Sequence, residues 1–141
     1  MARKTDYYKI SFDTITDKDA LNLIAITKNG ISYGVFTGMM KKTPFSLNEW
    51  SDFLNMSLRT MQRYLKKKKS FDSIYAQRIL EINLLYNQGV TLFGSNDKFN
   101  TWLDTKSIAL GGIKPKQLMD NVFGIDVLKN ELGRIEHGIL A

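Results

Sequence analysis

Apolar residues recur with a helical period along most of the chain, and residues that start or stop helices stand between the repeats. Asp17 to Lys28 carries Leu21, Ile24 and Ala25 at helical spacing, with acids at its start and Asn29-Gly30 as a stop. Ser32 to Lys42 predicts a second helix on the stripe Val35, Phe36, Met39 and Met40, ended by Pro44. Ser46-Leu47-Asn48-Glu49 fits a capping box, with Phe45 and Trp50 placed as a hydrophobic staple. Leu47, Trp50 and Leu54 then share a face. Asn55 tolerates a left-handed turn, and Ser57 caps a further helix in which Leu58, Met61 and Leu65 recur. Two short capped helices about a turn apart make a helix-turn-helix pattern.

The longest periodic segment runs from Phe71 to Phe93, with Tyr75, Ile79, Ile82, Tyr86, Val90 and Phe93 on one face. Its period continues through Gly89, where the missing side chain marks a close helix crossing. Phe93-Gly94-Ser95 stops that helix and caps the next, which Trp102 and Leu103 close. Leu110-Gly111-Gly112 is a turn, Pro115 suits a first helical position, and Gly124 punctuates before the last helix. There Leu128, Leu132, Ile135 and Ile139 form the apolar stripe, Arg134, Glu136 and His137 lie off it, and Gly138 is placed as a stop. Only Tyr8, Ile10 and Phe12 alternate as a strand or extended arm would. The expected fold is all-α.

Charge divides the chain. Residues 1–70 carry 13 Lys+Arg against 6 Asp+Glu, and residues 71–141 carry 7 against 8, so the net +6 resides in the first half. A basic module joined to a neutral one suits nucleic-acid binding, although charge alone equally describes a solvated basic face. The helix opened by Ser57 sharpens the choice. Arg59, Gln62, Arg63 and Lys66 fall opposite Leu58, Met61 and Leu65, and arginine and glutamine are the side chains that read guanine and adenine edges in the major groove. Lys66, Lys67, Lys68 and Lys69 suit phosphates. Ser57, Arg59, Thr60, Gln62, Arg63 and Lys66 to Lys69 are therefore the expected DNA-binding residues.

The C-terminal punctuation is more specific as a set. Phe93-Gly94-Ser95, Trp102-Leu103, Ala109-Leu110-Gly111-Gly112, Pro115 with Leu118, Gly124 with Val127, and Leu132 to Gly138 occur in an order that closely resembles the toxin-binding domain of the Xre/MbcA/ParS antitoxin family. The stretch from Leu58 to Lys66 also resembles the recognition helix of that family. The resemblance implies a type II antitoxin that represses its own operon, with operator DNA and a toxin, most often of the NAD-consuming RES-domain class, as partners. It implies inhibition by occlusion of the toxin's active site, for which Arg134, Glu136, His137, Gly138, Ile139, Leu140 and Ala141 are the expected contacts. The alternative is a stand-alone transcriptional regulator whose C-terminal half only dimerises. Domain limits follow: 1–70 for the DNA-binding helix-turn-helix and 71–141 for the toxin-binding part, with 71–93 bridging them. A homodimer is the default for a protein reading a palindrome.

Other classes find little support. No cysteine is present, His137 is the only histidine, and neither a carboxylate cluster for a metal, nor a nucleophile–base pair, nor a phosphate loop is apparent. Arg134, Glu136 and His137 are helical neighbours that cannot all face one site, so no catalytic residues and no cofactor are expected. The N-terminus lacks a signal-type apolar core and no run reaches the roughly 18 apolar residues of a membrane span, so the expected location is cytoplasmic.

Overall fold

The computed structural model describes residues 9–140, and side chains through Gly138. The described residues form seven α-helices, α1 Asp17–Asn29, α2 Tyr33–Lys42, α3 Leu47–Phe53, α4 Leu58–Lys66, α5 Ser73–Phe93, α6 Asn96–Asp104 and α7 Val122–Leu140, with 3-10 turns at Ile108–Leu110 and Pro115–Leu118. Pairing between extended segments is limited to two isolated bridges, Ile31 with Phe71 and Ser107 with Ile113. The all-α expectation holds. Tyr8 lies outside the described residues, and Ile10 and Phe12 belong to a non-helical lead-in to α1. That lead-in is tied down by Asn87, whose Nδ2 donates to the Ile10 carbonyl at 2.6 Å.

Helix α5 is the axis of the fold, packing against α1, α6 and α7. From Ile79 to Gly89 nearly every residue is buried, on both sides of the helix. The single face read from the periodicity is therefore too narrow: Leu80, Leu84, Asn83 and Gln88 are covered as well. A helix enclosed by three others has no outward stripe to leave polar.

Around the first half of α5 the aromatic residues interlock. Phe36 meets Trp50 edge-on at 5.2 Å and Phe71 at 4.6 Å, while Phe45 lies 5.9 Å from both Trp50 and Tyr86. The capping box and staple form as expected: Glu49 N donates to Ser46 Oγ at 3.1 Å, and Ser46 N to Glu49 Oε1 at 3.0 Å. Ile31 and Phe71 exchange reciprocal backbone hydrogen bonds of 2.8 Å, which join the α1–α2 corner to the chain leaving α4. Gly30 sits in that corner at φ 89°, where a Cβ would lie 2.6 Å from the Phe71 carbonyl oxygen.

The face of α1 differs from expectation. Leu23 and Ile26 turn inward, whereas Leu21 and Ile24 are 67% and 49% exposed and Ala25 is also outside. The segment from Leu21 to Ile26 holds five apolar residues in six, so its own pattern does not choose a side. Docking on α5 does.

Two glycines in the second half act through close approach. A Cβ on Gly89 would run into the ring of Phe99 on α6, which is the helix crossing expected there. Gly124 lies within the first turn of α7, against the Leu118 carbonyl, and so does not punctuate before that helix. Gly138 does not end it either, because α7 continues through Leu140.

Candidate functional site

Helix α4 is anchored by Met61, fully buried, with Leu65 and Tyr64 half-buried behind it. Arg59, Gln62, Arg63 and Lys66 are all exposed, so the one-sided arrangement expected of them is present. Leu58 is only partly covered, at 38% exposure, and contributes less to the anchor than its spacing suggested. Ser57 and Thr60 form the N-terminal cap: Thr60 N donates to Ser57 Oγ at 3.0 Å, and the Ser57 hydroxyl donates to Thr60 Oγ1 at 2.9 Å. Their hydroxyls first serve the helix start.

The four lysines do not prolong that face. The helix ends at Lys66, and Lys68 adopts φ 51°, turning the chain back. Lys69 N then donates to the Tyr64 carbonyl at 2.8 Å while its ammonium sits 4.7 Å from the Tyr64 ring centroid. Lys66 to Lys69 thus wrap the C-terminal end of α4 as an exposed cluster of positive charge.

The C-terminal half grips the α3–α4 unit from below. Lys116 bridges Glu49 at 2.6 Å and Asp104 at 2.5 Å, so one ammonium ties α3, α6 and the 115–118 turn together. Burial alone would raise the Glu49 carboxyl, but the hydrogen bonds from Lys116 and Ser46 outweigh it and hold that group below the ordinary glutamate range. Burial would likewise lower Lys116, and its two carboxylate partners reverse the direction and raise it. Asn55 Nδ2 donates to the Asp120 carbonyl at 3.2 Å, and Arg78 Nη1 to the Phe53 carbonyl at 3.0 Å. A cavity of about 480 Å³ lies beside this clasp, lined in part by Asp52, Asn55, Gln117 and Asp120. Sequence reasoning missed the clasp, since its members are distant in the chain and each is an ordinary surface charge by type.

Past α6 the chain makes a tight loop. Ser107 N donates to the Ile113 carbonyl at 2.9 Å, and Gly111 and Gly112 at φ 81° and 84° close the turn. Phe99 stacks on Trp102 at 5.7 Å and 15°, so Trp102 is half-buried core rather than a free surface ring. On α7, Leu128 and Leu132 are fully buried and Ile135 is half-buried. Arg134 and His137 are exposed and Glu136 is half-exposed. Arg134 is held in place, its Nε and Nη2 donating to Glu131 Oε2 at 3.0 and 2.6 Å. Gly138 is exposed. The side chains of Ile139 and Leu140, and all of Ala141, lie outside the described residues.

Helix α7 also carries an exposed apolar row. Val122 and Val127 are each 41% exposed and Phe123 is 76% exposed, on the side facing away from Leu128 and Leu132. The signal was available as apolar residues at i and i+4 opposite the buried stripe.

Residues 88–138, from the end of α5 through α7, match the family described as the antitoxin Xre/MbcA/ParS C-terminal toxin-binding domain. The chain is an antitoxin of a toxin–antitoxin system, a binding protein and not an enzyme. It is similar to Antitoxin Xre of Photorhabdus laumondii subsp. laumondii, at 26% identity over 121 residues, which span 85% of this chain and 82% of that relative. The match and the relative together support an antitoxin of the Xre/MbcA/ParS type. Among the described residues no group of His, Cys, Asp or Glu is arranged to hold a metal ion, and no helix is long and apolar enough to cross a membrane.

Proposed function

We propose that this antitoxin neutralises a RES-domain, NAD-consuming toxin by placing the end of α7 in the toxin's active-site cleft, and that α4 reads operator DNA so that the same protein represses its own operon. For neutralisation, the supporting observation is that the matched toxin-binding segment closes on the exposed end of a helix. Arg134, His137 and Gly138 lie there, off the buried stripe. The end enters as an intact helical turn, because α7 is not broken at Gly138. Arg134, Glu136 and His137 make polar contacts at the mouth, and Ile139, Leu140 and Ala141 go deeper.

For DNA, the supporting observation is that Arg59, Gln62, Arg63 and Lys66 project from a helix whose opposite side is pinned by Met61. Ser57 and Thr60 begin that helix at the phosphate backbone, and Lys66, Lys67, Lys68 and Lys69 neutralise phosphates. A homodimer presents two such helices to a palindrome.

The test is a co-expression growth assay beside a DNA shift, both with a protein lacking residues 138–141. The truncation should retain fold and DNA binding and lose rescue of cells expressing the toxin. Full rescue would remove the terminal turn from the inhibitory contact.

A further inference from the structure

We infer that the toxin also docks along the outward face of α7, with Phe123 and Val127 as its apolar anchors. This rests on the toxin-binding reading above and extends it from the helix end to the whole helix. The positions turned away from the core are Val122, Phe123, Asp126, Val127, Asn130 and Arg134, continuing to His137 and Gly138. At 3.6 residues per turn they occupy one continuous side, while Ile125, Leu128, Glu131 and Leu132 occupy the other and are buried. From Phe123 to Gly138 that side is about 22 Å long at 1.5 Å per residue. Its first two turns carry the apolar Val122, Phe123 and Val127 with Asp126 among them, and its last two are polar.

An exposed phenylalanine flanked by two half-exposed valines is an anomaly on a well-packed protein. Here the core had room to hide its aromatic residues: Phe36, Phe71 and Phe99 are at most 1% exposed. The patch lies wholly within the segment that matches a toxin-binding domain, and it runs without a break into the terminal residues assigned to the active-site cleft. Exposed Leu21, Ile24 and Ile74 lie outside that segment, so the match gives them no partner. An apolar anchor at one end and a polar mouth contact at the other is the layout of a helix laid in a groove, read at i and i+4. Ile108, 97% exposed at the tip of the loop before α7, offers a further apolar contact in the same segment.

The chain has no cysteine, so a single Val127→Cys change accepts one environment-sensitive dye. The probe is the purified RES-domain toxin encoded in the same operon. It is titrated against the labelled full chain, against the unlabelled full chain, and against Phe123→Ala and Val127→Asp. The dye should shift to the blue on toxin addition. Phe123→Ala should bind about 30-fold more weakly or worse, the loss typical of a buried aromatic anchor. Val127→Asp should lose binding further, while both variants keep wild-type circular dichroism and operator affinity. Wild-type toxin affinity in both variants, with no dye response, would overturn the inference. So would a fall in the variants' own oligomeric state without toxin, which would assign the face to a second copy of this chain. Failure of the unaltered chain to bind the toxin is visible before any variant is made, and would overturn the underlying toxin reading and this inference with it.

Discussion

Replacing Gly89 by alanine sets two known effects against each other. Alanine in the interior of α5 gains up to about 1 kcal/mol in helix propensity. Its methyl group, however, would occupy space already taken by three atoms of the Phe99 ring. That ring is 1% exposed and hemmed in, with Tyr86 at 5.5 Å, Phe93 at 5.6 Å and Trp102 at 5.7 Å between centroids. It has nowhere to move without displacing the other three. Overpacking of this kind costs about 1–3 kcal/mol and here falls at or above the upper end of that range. The net effect is a loss of at least about 2 kcal/mol, or a fall in Tm of about 4–8 °C for a chain of this size. Gly133 on α7 provides the opposite case, since an added Cβ meets nothing within 4 Å there. Gly133→Ala should gain about 0.5–1 kcal/mol. Urea and thermal unfolding of both variants decide the matter. Combining Gly89→Ala with Phe99→Leu should recover part of the loss, because the two changes share one space. If Gly89→Ala were as stable as Gly133→Ala, the α5–α6 crossing would not be as close as described.

Arg63→Ala should weaken operator binding by about 1–3 kcal/mol and relax its sequence preference in a gel-shift competition. Lys67→Ala should weaken operator and random DNA alike, and lower the slope of affinity against salt by about one unit. Lys116→Met removes a partly buried clasp and should cost about 1–2 kcal/mol at neutral pH by urea unfolding. Glu49 is held below its usual pKa in the folded chain, so its share of that stability is present above the ordinary glutamate value of about 4.5 and is lost as pH falls through the lower folded value. Lys116 is held above its usual pKa, so its share is present below about 10.5 and is lost as pH rises through the folded value. The difference between wild type and Lys116→Met should therefore be largest near neutral pH and shrink toward pH 3.

The parts of the fold set by local chemistry were legible in the sequence. Ser46 with Glu49, Ser57, Ser95 and Gly94 each start or stop a helix through contacts within a few residues, and each does so where its residue type indicated. The parts set by long-range packing were not. Leu21 and Leu23 are equally apolar, and only the docking of α1 on α5 decides which is buried. A glycine that ends a helix and one that admits a neighbouring backbone look alike in a sequence, which is why Gly124 read as punctuation when it accommodates the Leu118 carbonyl. For the candidate sites, the outward row on α4 followed from its period. The turn at Lys68 did not, because a lysine gives no sign of a left-handed backbone. The exposed row beginning at Phe123 was hidden by its own residue types, since apolar residues on a helix are read as core. Lys116 and Glu49 are more than sixty positions apart, and no pattern along the chain links them.

We propose that this chain silences a toxin by covering its active site with the C-terminal part. The most direct test purifies the proposed RES-domain toxin partner and follows its NAD consumption while the full antitoxin is added in steps. Inhibition should grow linearly and be complete at a fixed stoichiometric ratio, with the protein lacking residues 138–141 failing to reach it. Undiminished NAD loss with the full chain in large excess would contradict the account.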